Sequence, residues 1–148
     1  MSKRNEPKRK TPADFLADLR AGHQDAEGHG PAEAKKYLEK VLSAQHSMPN
    51  AVKFFAYDLL VEAAYQAGDP IRALDAVASA KQYLEAARED AAREVKEYMP
   101  HAKYLERGIG LMADEGEIEE AIAMCDEAIA LGLGRAYEAK RQSLERRL

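Results

Sequence analysis

The sequence has no tryptophan and a single cysteine, Cys125, among its 148 residues. One thiol excludes an internal disulfide and fits a reducing compartment, so a cytoplasmic setting is expected. Long apolar runs are missing as well. No stretch approaches the roughly 18 consecutive apolar residues of a spanning helix, and the charged opening MSKRNEPKRK is not followed by the apolar segment of a secretory signal. No membrane partner is expected. β-branched residues are scarce, which removes the usual material of strands. Glycine and proline are also few, nine and six, and most of them mark boundaries. The stretches between them are rich in Ala, Glu, Lys, Leu and Arg, the composition of an all-α chain.

With 46% hydrophobic and 32% charged residues, a chain of this length can bury one core but not two independent ones. The net charge of −4 is unevenly spread. Residues 1–10 hold five Lys and Arg against one Glu, and residues 135–148 hold five against two. Two basic ends therefore flank an acidic body, an asymmetry that bears on partner choice.

Residues 1–10 offer almost nothing to bury and are expected to form a disordered basic tail, leaving residues 11–148 as one helical domain. Thr11-Pro12 has the cap and first-turn proline of a helix running to about residue 22 or a little beyond, with Phe15, Leu16 and Leu19 on its apolar side. Pro31 starts a second helix, with Ala34, Tyr37, Leu38, Val41 and Leu42 at helical spacing. A third spans about 49–67 and stops at Gly68, and Asp69-Pro70 starts a fourth at once, so the two must form an antiparallel hairpin. No Gly or Pro interrupts Ile71 to Met99, which predicts one long helix whose charged second half projects beyond the body. Its stripe of Leu84, Ala91, Val95 and Tyr98 suits self-association or the interior of a monomer equally well. Pro100 permits a new start, Gly116 a second hairpin and Gly132-Leu133-Gly134 a last turn. The final segment, polar on most sides, suits the exposed end of a stack.

The two hairpins repeat each other. Gly68, Ala73, Val77 and Ala80 fall on Gly116, Ala121, Cys125 and Ala128 at a constant offset of 48, and Ala34, Leu38 and Val41 supply a degenerate earlier copy at an offset of 39. Small residues at such places let paired helices approach closely. On these residues, with Tyr57, Leu60, Leu105 and Met112, the chain resembles the tetratricopeptide repeat family over roughly residues 50–132. It departs from that family where Val61 and Ile109 replace a glycine and where the offsets exceed the usual ~34 residues. The resemblance implies antiparallel hairpins stacked as a short α-solenoid with a C-terminal capping helix. It also implies a concave groove, with Phe55, Asp58, Glu62, Tyr65 and Gln66 from one unit and Lys103, Glu106, Gly110 and Asp114 from the next at its ligand-facing positions.

Taken together these positions are more acidic than basic and lack the family's carboxylate clamp. A partner protein or peptide, basic or anchored by an apolar side chain, is the expected ligand. The alternative is an accessory nucleic-acid-binding role for the two basic ends, the N-terminal tail of Lys3, Arg4, Lys8, Arg9 and Lys10 and the basic C-terminal segment 135–148, through phosphate contacts. Catalysis is not expected: Glu62, Glu106 and His101 have neither a nucleophile nor a phosphate loop to work with, and no cofactor motif occurs. No pair of His23, His29, His46 and His101 has the spacing that puts two imidazoles on one helical face, so no metal site is expected. Cys125 lies on an apolar stripe between Ile122 and Ile129 and should be a buried small hydrophobe. Glu85, Glu89, Asp90, Glu94 and Glu97 alternate with Lys81, Arg88, Arg93 and Lys96 as a solvated face.

Overall fold

The computed structural model describes residues 11–44 and 48–148, so the basic tail lies outside the described residues. Eight α-helices and one 3-10 turn account for most of them: α1 (Pro12–Glu27), α2 (Pro31–Ser43), α3 (Asn50–Gln66), α4 (Pro70–Asp90), α5 (Ala92–Tyr98), the turn Met99–His101, α6 (Lys103–Asp114), α7 (Ile118–Ala130) and α8 (Arg135–Glu145). Among the described residues there is no strand.

Starts and stops follow local chemistry. Thr11 and Asp14 form a reciprocal capping box at α1, with Asp14 N–H donating to Thr11 Oγ1 at 3.2 Å and Thr11 N–H to Asp14 Oδ2 at 2.9 Å. Asp69 caps α4 by accepting from Arg72 N–H at 3.0 Å. Three helices end in the same turn. At Gly68, Gly116 and Gly132 the backbone is left-handed, with φ of 82°, 82° and 72°. In each case the next residue's N–H reaches five residues back, Asp69 to Ala64 O at 2.8 Å, Glu117 to Met112 O at 2.9 Å and Leu133 to Ala128 O at 3.1 Å. This pairing satisfies carbonyls that a helix end leaves open and reverses the chain at once.

α3 is the central rod. Ten of its seventeen residues are buried, and a helix apolar on nearly every side belongs in an interior. It lies against α1 and α2 and against α4 and α6; α6 in turn packs on α3, α4 and α7, and α8 on α7. Ala73, Ala76, Ala80 and Ala87 are fully buried on α4, the small residues that bring its axis close to its neighbours. Gly108 does the same on α6: a Cβ there would stand 3.0 Å from Met124 Cε and 3.1 Å from Val77 Cγ2. Polar cross-links run between helices at the surface, with Arg72 bidentate to Glu39 at 2.6 and 2.9 Å and Lys81 on Glu120 at 2.5 Å.

One expectation fails here. The helix predicted through Met99 breaks at Ala91, whose φ and ψ are −151° and 62°. Neither glycine nor proline causes the break. Asp90 turns back to accept from Ala51 N–H at 3.3 Å. The redirected α5 then buries Ala91, Val95 and Met99 alongside Leu84 and Ala87. A straight continuation would carry that stripe out into water, so apolar burial outweighs one irregular residue. The stripe thus lies in the chain's own core instead of projecting from it.

Two substitutions check this packing. Gly116→Ala places a Cβ in the left-handed region and should lower stability by about 1 kcal/mol, or roughly 3 °C in Tm for a chain of this size. Gly108→Leu restores the residue found at the repeat-equivalent Leu60, yet should cost about 2 kcal/mol because Val77 and Met124 already fill the place. Urea denaturation of each variant measures both.

Candidate functional site

A cavity of about 280 Å³ opens between α1, the start of α2, α3 and the first residue of α6. Its floor is apolar, with Ala34, Leu59 and Ala63, and the exposed Pro31 stands at its edge. His23, Glu27, Glu62, Gln66 and Lys103 form the rim. The placement follows from helical spacing, since Leu59 and Ala63 stand one turn apart on α3 with Glu62 and Gln66 beside them, and His23 and Glu27 stand one turn apart on α1.

Of the two rim carboxylates, Glu62 is held. Arg107 donates Nε to Glu62 Oε2 at 2.8 Å and Nη2 to Oε1 at 3.0 Å, and Gln66 Nε2 adds a third bond at 2.9 Å. The hydrogen bonds from Arg107 keep the Glu62 carboxyl below its ordinary range and outweigh the effect of burial. The Arg107 guanidinium also lies over the Tyr65 ring, 4.0 Å from its centroid. His23 Nε2 is 3.4 Å from Glu27. Burial lowers the His23 pKa more than Glu27 raises it, so the imidazole is neutral at pH 7. Lys103 Nζ contacts Glu106 at 3.4 Å.

Of the residues expected in a groove, the structure therefore brings Glu62, Gln66 and Lys103 to one cavity. Tyr65 flanks it under Arg107. Glu106 and Gly110 line a separate depression with Lys140, Ser143 and Leu144 of α8. Asp114 is exposed at the far end of α6. Phe55 and Asp58 are not ligand-facing at all: both are fully buried. Phe55 packs its ring against Tyr98 at 4.4 Å and Phe54 at 5.7 Å. Asp58 accepts Lys103 N–H at 2.9 Å, Tyr104 N–H at 2.8 Å and the Tyr98 hydroxyl. It is a remote cap for the start of α6, where Ala102 has no hydroxyl or carboxylate to offer. His23, Glu27, Leu59 and Ala63 were not anticipated, although the i, i+4 pairing of His23 with Glu27 was there to be read.

The remaining candidates behave as ordinary structure. Cys125 is fully buried, and burial pushes its thiol pKa up. Arg88 pairs with Glu85 at 2.7 Å and Arg93 with Glu97 at 3.3 Å on the solvated face of α4 and α5. No metal-binding cluster of three or more His, Cys, Asp or Glu occurs among the described residues, and no helix among them is long and apolar enough to cross a membrane.

Asp58 gives the fold a pH dependence. Burial pushes its carboxyl up to about 6 from 3.8, against the three hydrogen bonds, which favour the ionised form. A carboxyl with a raised folded pKa binds protons more readily in the folded chain. Its contribution to stability is complete below about pH 4 and is lost as pH rises through about 6, a component of the order of 3 kcal/mol at most. The stability advantage of the native chain over Asp58→Asn should therefore shrink between pH 4 and pH 7 in urea titrations. Parallel pH profiles for the two proteins would contradict it.

No protein-family model matches this chain, and comparison with curated proteins and with solved structures finds no match to it.

Proposed function

We propose that the chain is a protein-interaction module, an adaptor or a subunit of a larger assembly, that takes a partner segment into the cavity between α1, α2, α3 and α6. In this reading the helix pairs α1–α2, α3–α4 and α6–α7 stack as a short solenoid of the tetratricopeptide kind, with α8 closing the end. The stacking is supported by α3 lying on both members of the first pair and α6 on both members of the second. Cross-links between like helices agree with it: Glu39 to Arg72 and Lys81 to Glu120 join the second helices, and Glu62 to Arg107 the first ones of adjacent pairs.

The observation that carries the binding role is the cavity itself. It has an apolar floor sized for one large side chain and a polar rim that fixes orientation. Glu62 is ionised but fully engaged by Arg107 and Gln66, which leaves the exposed Glu27 to meet a cation on the ligand. A peptide with a Leu or Phe anchor and a neighbouring Lys or Arg matches floor and rim together.

The test is fluorescence anisotropy with labelled peptides of that pattern. Ala63→Arg extends a side chain into the cavity, and Gln66→Trp covers it from an exposed position. Each should weaken binding about tenfold or more while leaving the far-UV circular dichroism spectrum unchanged. Peptides that fail to bind at about 1 mM, or bind both variants as well as the native chain, refute the assignment.

A further inference from the structure

The long offset between the second and third helix pairs has a structural product. α5 and the turn Met99–His101 form one wall of a cleft of about 610 Å³, and the end of α7 with the turn after it forms the other. Pro100, Leu131 and Leu133 supply apolar surface with the nearly buried Met99 beneath them, Arg88 and Lys96 are the charged groups, and no carboxylate lines the cleft. Leu131 is 36% exposed, one of few large apolar side chains at the surface of the described residues. Arg88 spends one guanidinium nitrogen on Glu85, a side chain 82% exposed, and such surface pairs hold weakly. Lys96 is exposed and has no ion-pair partner among the described residues. Two of the closing carbonyls of α7 are already taken, with Gly132 N–H on Ile129 O at 2.9 Å and Leu133 N–H on Ala128 O at 3.1 Å. The two cations are therefore the dominant polar groups of the cleft.

On a chain of net charge −4 this is a local reversal of sign over an apolar floor. We infer that the cleft docks a partner-protein segment in which a large apolar side chain stands beside Asp or Glu. The apolar side chain enters between Met99, Leu131 and Leu133, and the carboxylates meet Arg88 and Lys96. A basic segment is repelled there. The cleft shares no lining residue with the cavity between α1, α2, α3 and α6, so the two sites prefer opposite charges and stand independently.

Three labelled peptides with one Leu-Phe anchor and flanks of Glu, Ser or Lys test the inference by anisotropy on the full chain. The Glu-flanked peptide should bind about tenfold more tightly than the Ser-flanked one and lose that advantage between about 50 and 500 mM salt. Arg88→Glu with Lys96→Glu should reverse the order so that the Lys-flanked peptide binds best, and Leu131→Ser should weaken all three. Lys96→Glu alone, a change at a solvated position, keeps the measurement valid if the double variant does not fold. Ala63→Arg should leave the Glu-flanked peptide's affinity unchanged, which separates this cleft from the first cavity. Affinities that ignore flank charge, or that none of the Arg88, Lys96 and Leu131 variants alters, overturn the inference. Absence of binding at about 1 mM does so too, as does sedimentation as a dimer that Leu131→Ser dissolves, since a second copy is then the occupant.

Discussion

A single buried carboxylate joins the parts of this molecule. Asp58 projects from the middle of α3, and its two oxygens take the first amide groups of α6 and the hydroxyl that ends α5. It is the only fully buried charged side chain among the described residues. Left unmade, those hydrogen bonds would strand two helix-end N–H groups and a phenol in an interior of Phe54, Phe55 and Tyr104. The three donors offset the desolvation of the carboxylate only in part. The angle between α5 and α6, and with it the path of the chain from α4 to α6, is thereby specified.

The break at Ala91 is compatible with that joint. Tyr98 can reach Asp58 only if the chain turns before it, and the turn also returns Val95 and Met99 to the core. Both surface recesses descend from the same arrangement. Lys103 begins α6 at the rim of one cavity, while Met99 and Pro100, just before it, line the other cleft. Two recesses of different charge are thus separated by a few residues of chain and held in fixed relation by Asp58.

The sequence disclosed the hairpins because their signals are local. Gly68 and Gly116 supply left-handed turns, Pro31 and Pro70 open helices, and the apolar spacing of α2, α6 and α7 marks one face each. The Ala91 break left no such mark, since it answers to Asp90 capping α3 and to the pull of the core instead of to a breaker residue. Asp58 and Phe55 were misplaced for a related reason. Motif positions assign them outward, but α3 is packed on nearly every side, and its run of Ala51, Val52, Phe54, Phe55 and Ala56 announces a helix with almost no free face. Of the nine residues that line the cavity, the motif positions pointed to three, Glu62, Gln66 and Lys103. The α1 side was not legible, because which earlier helix lies across α3 is a tertiary fact that spacing along α3 does not contain.

The three glycine turns have a further implication for how order is distributed. Each lets a helix fold onto its immediate predecessor, so the structure is assembled mainly from partners close along the chain, a topology that favours rapid folding. The long-range ties are fewer, and the buried one is at Asp58, which joins residues some forty positions apart. Cooperativity is therefore concentrated at the waist, and the extremities loosen first. α8 has Leu144 as its one buried residue, whereas α3 has ten, so burial, and with it the free energy of local opening, is least at the C-terminal helix and greatest where the chain is tied to itself.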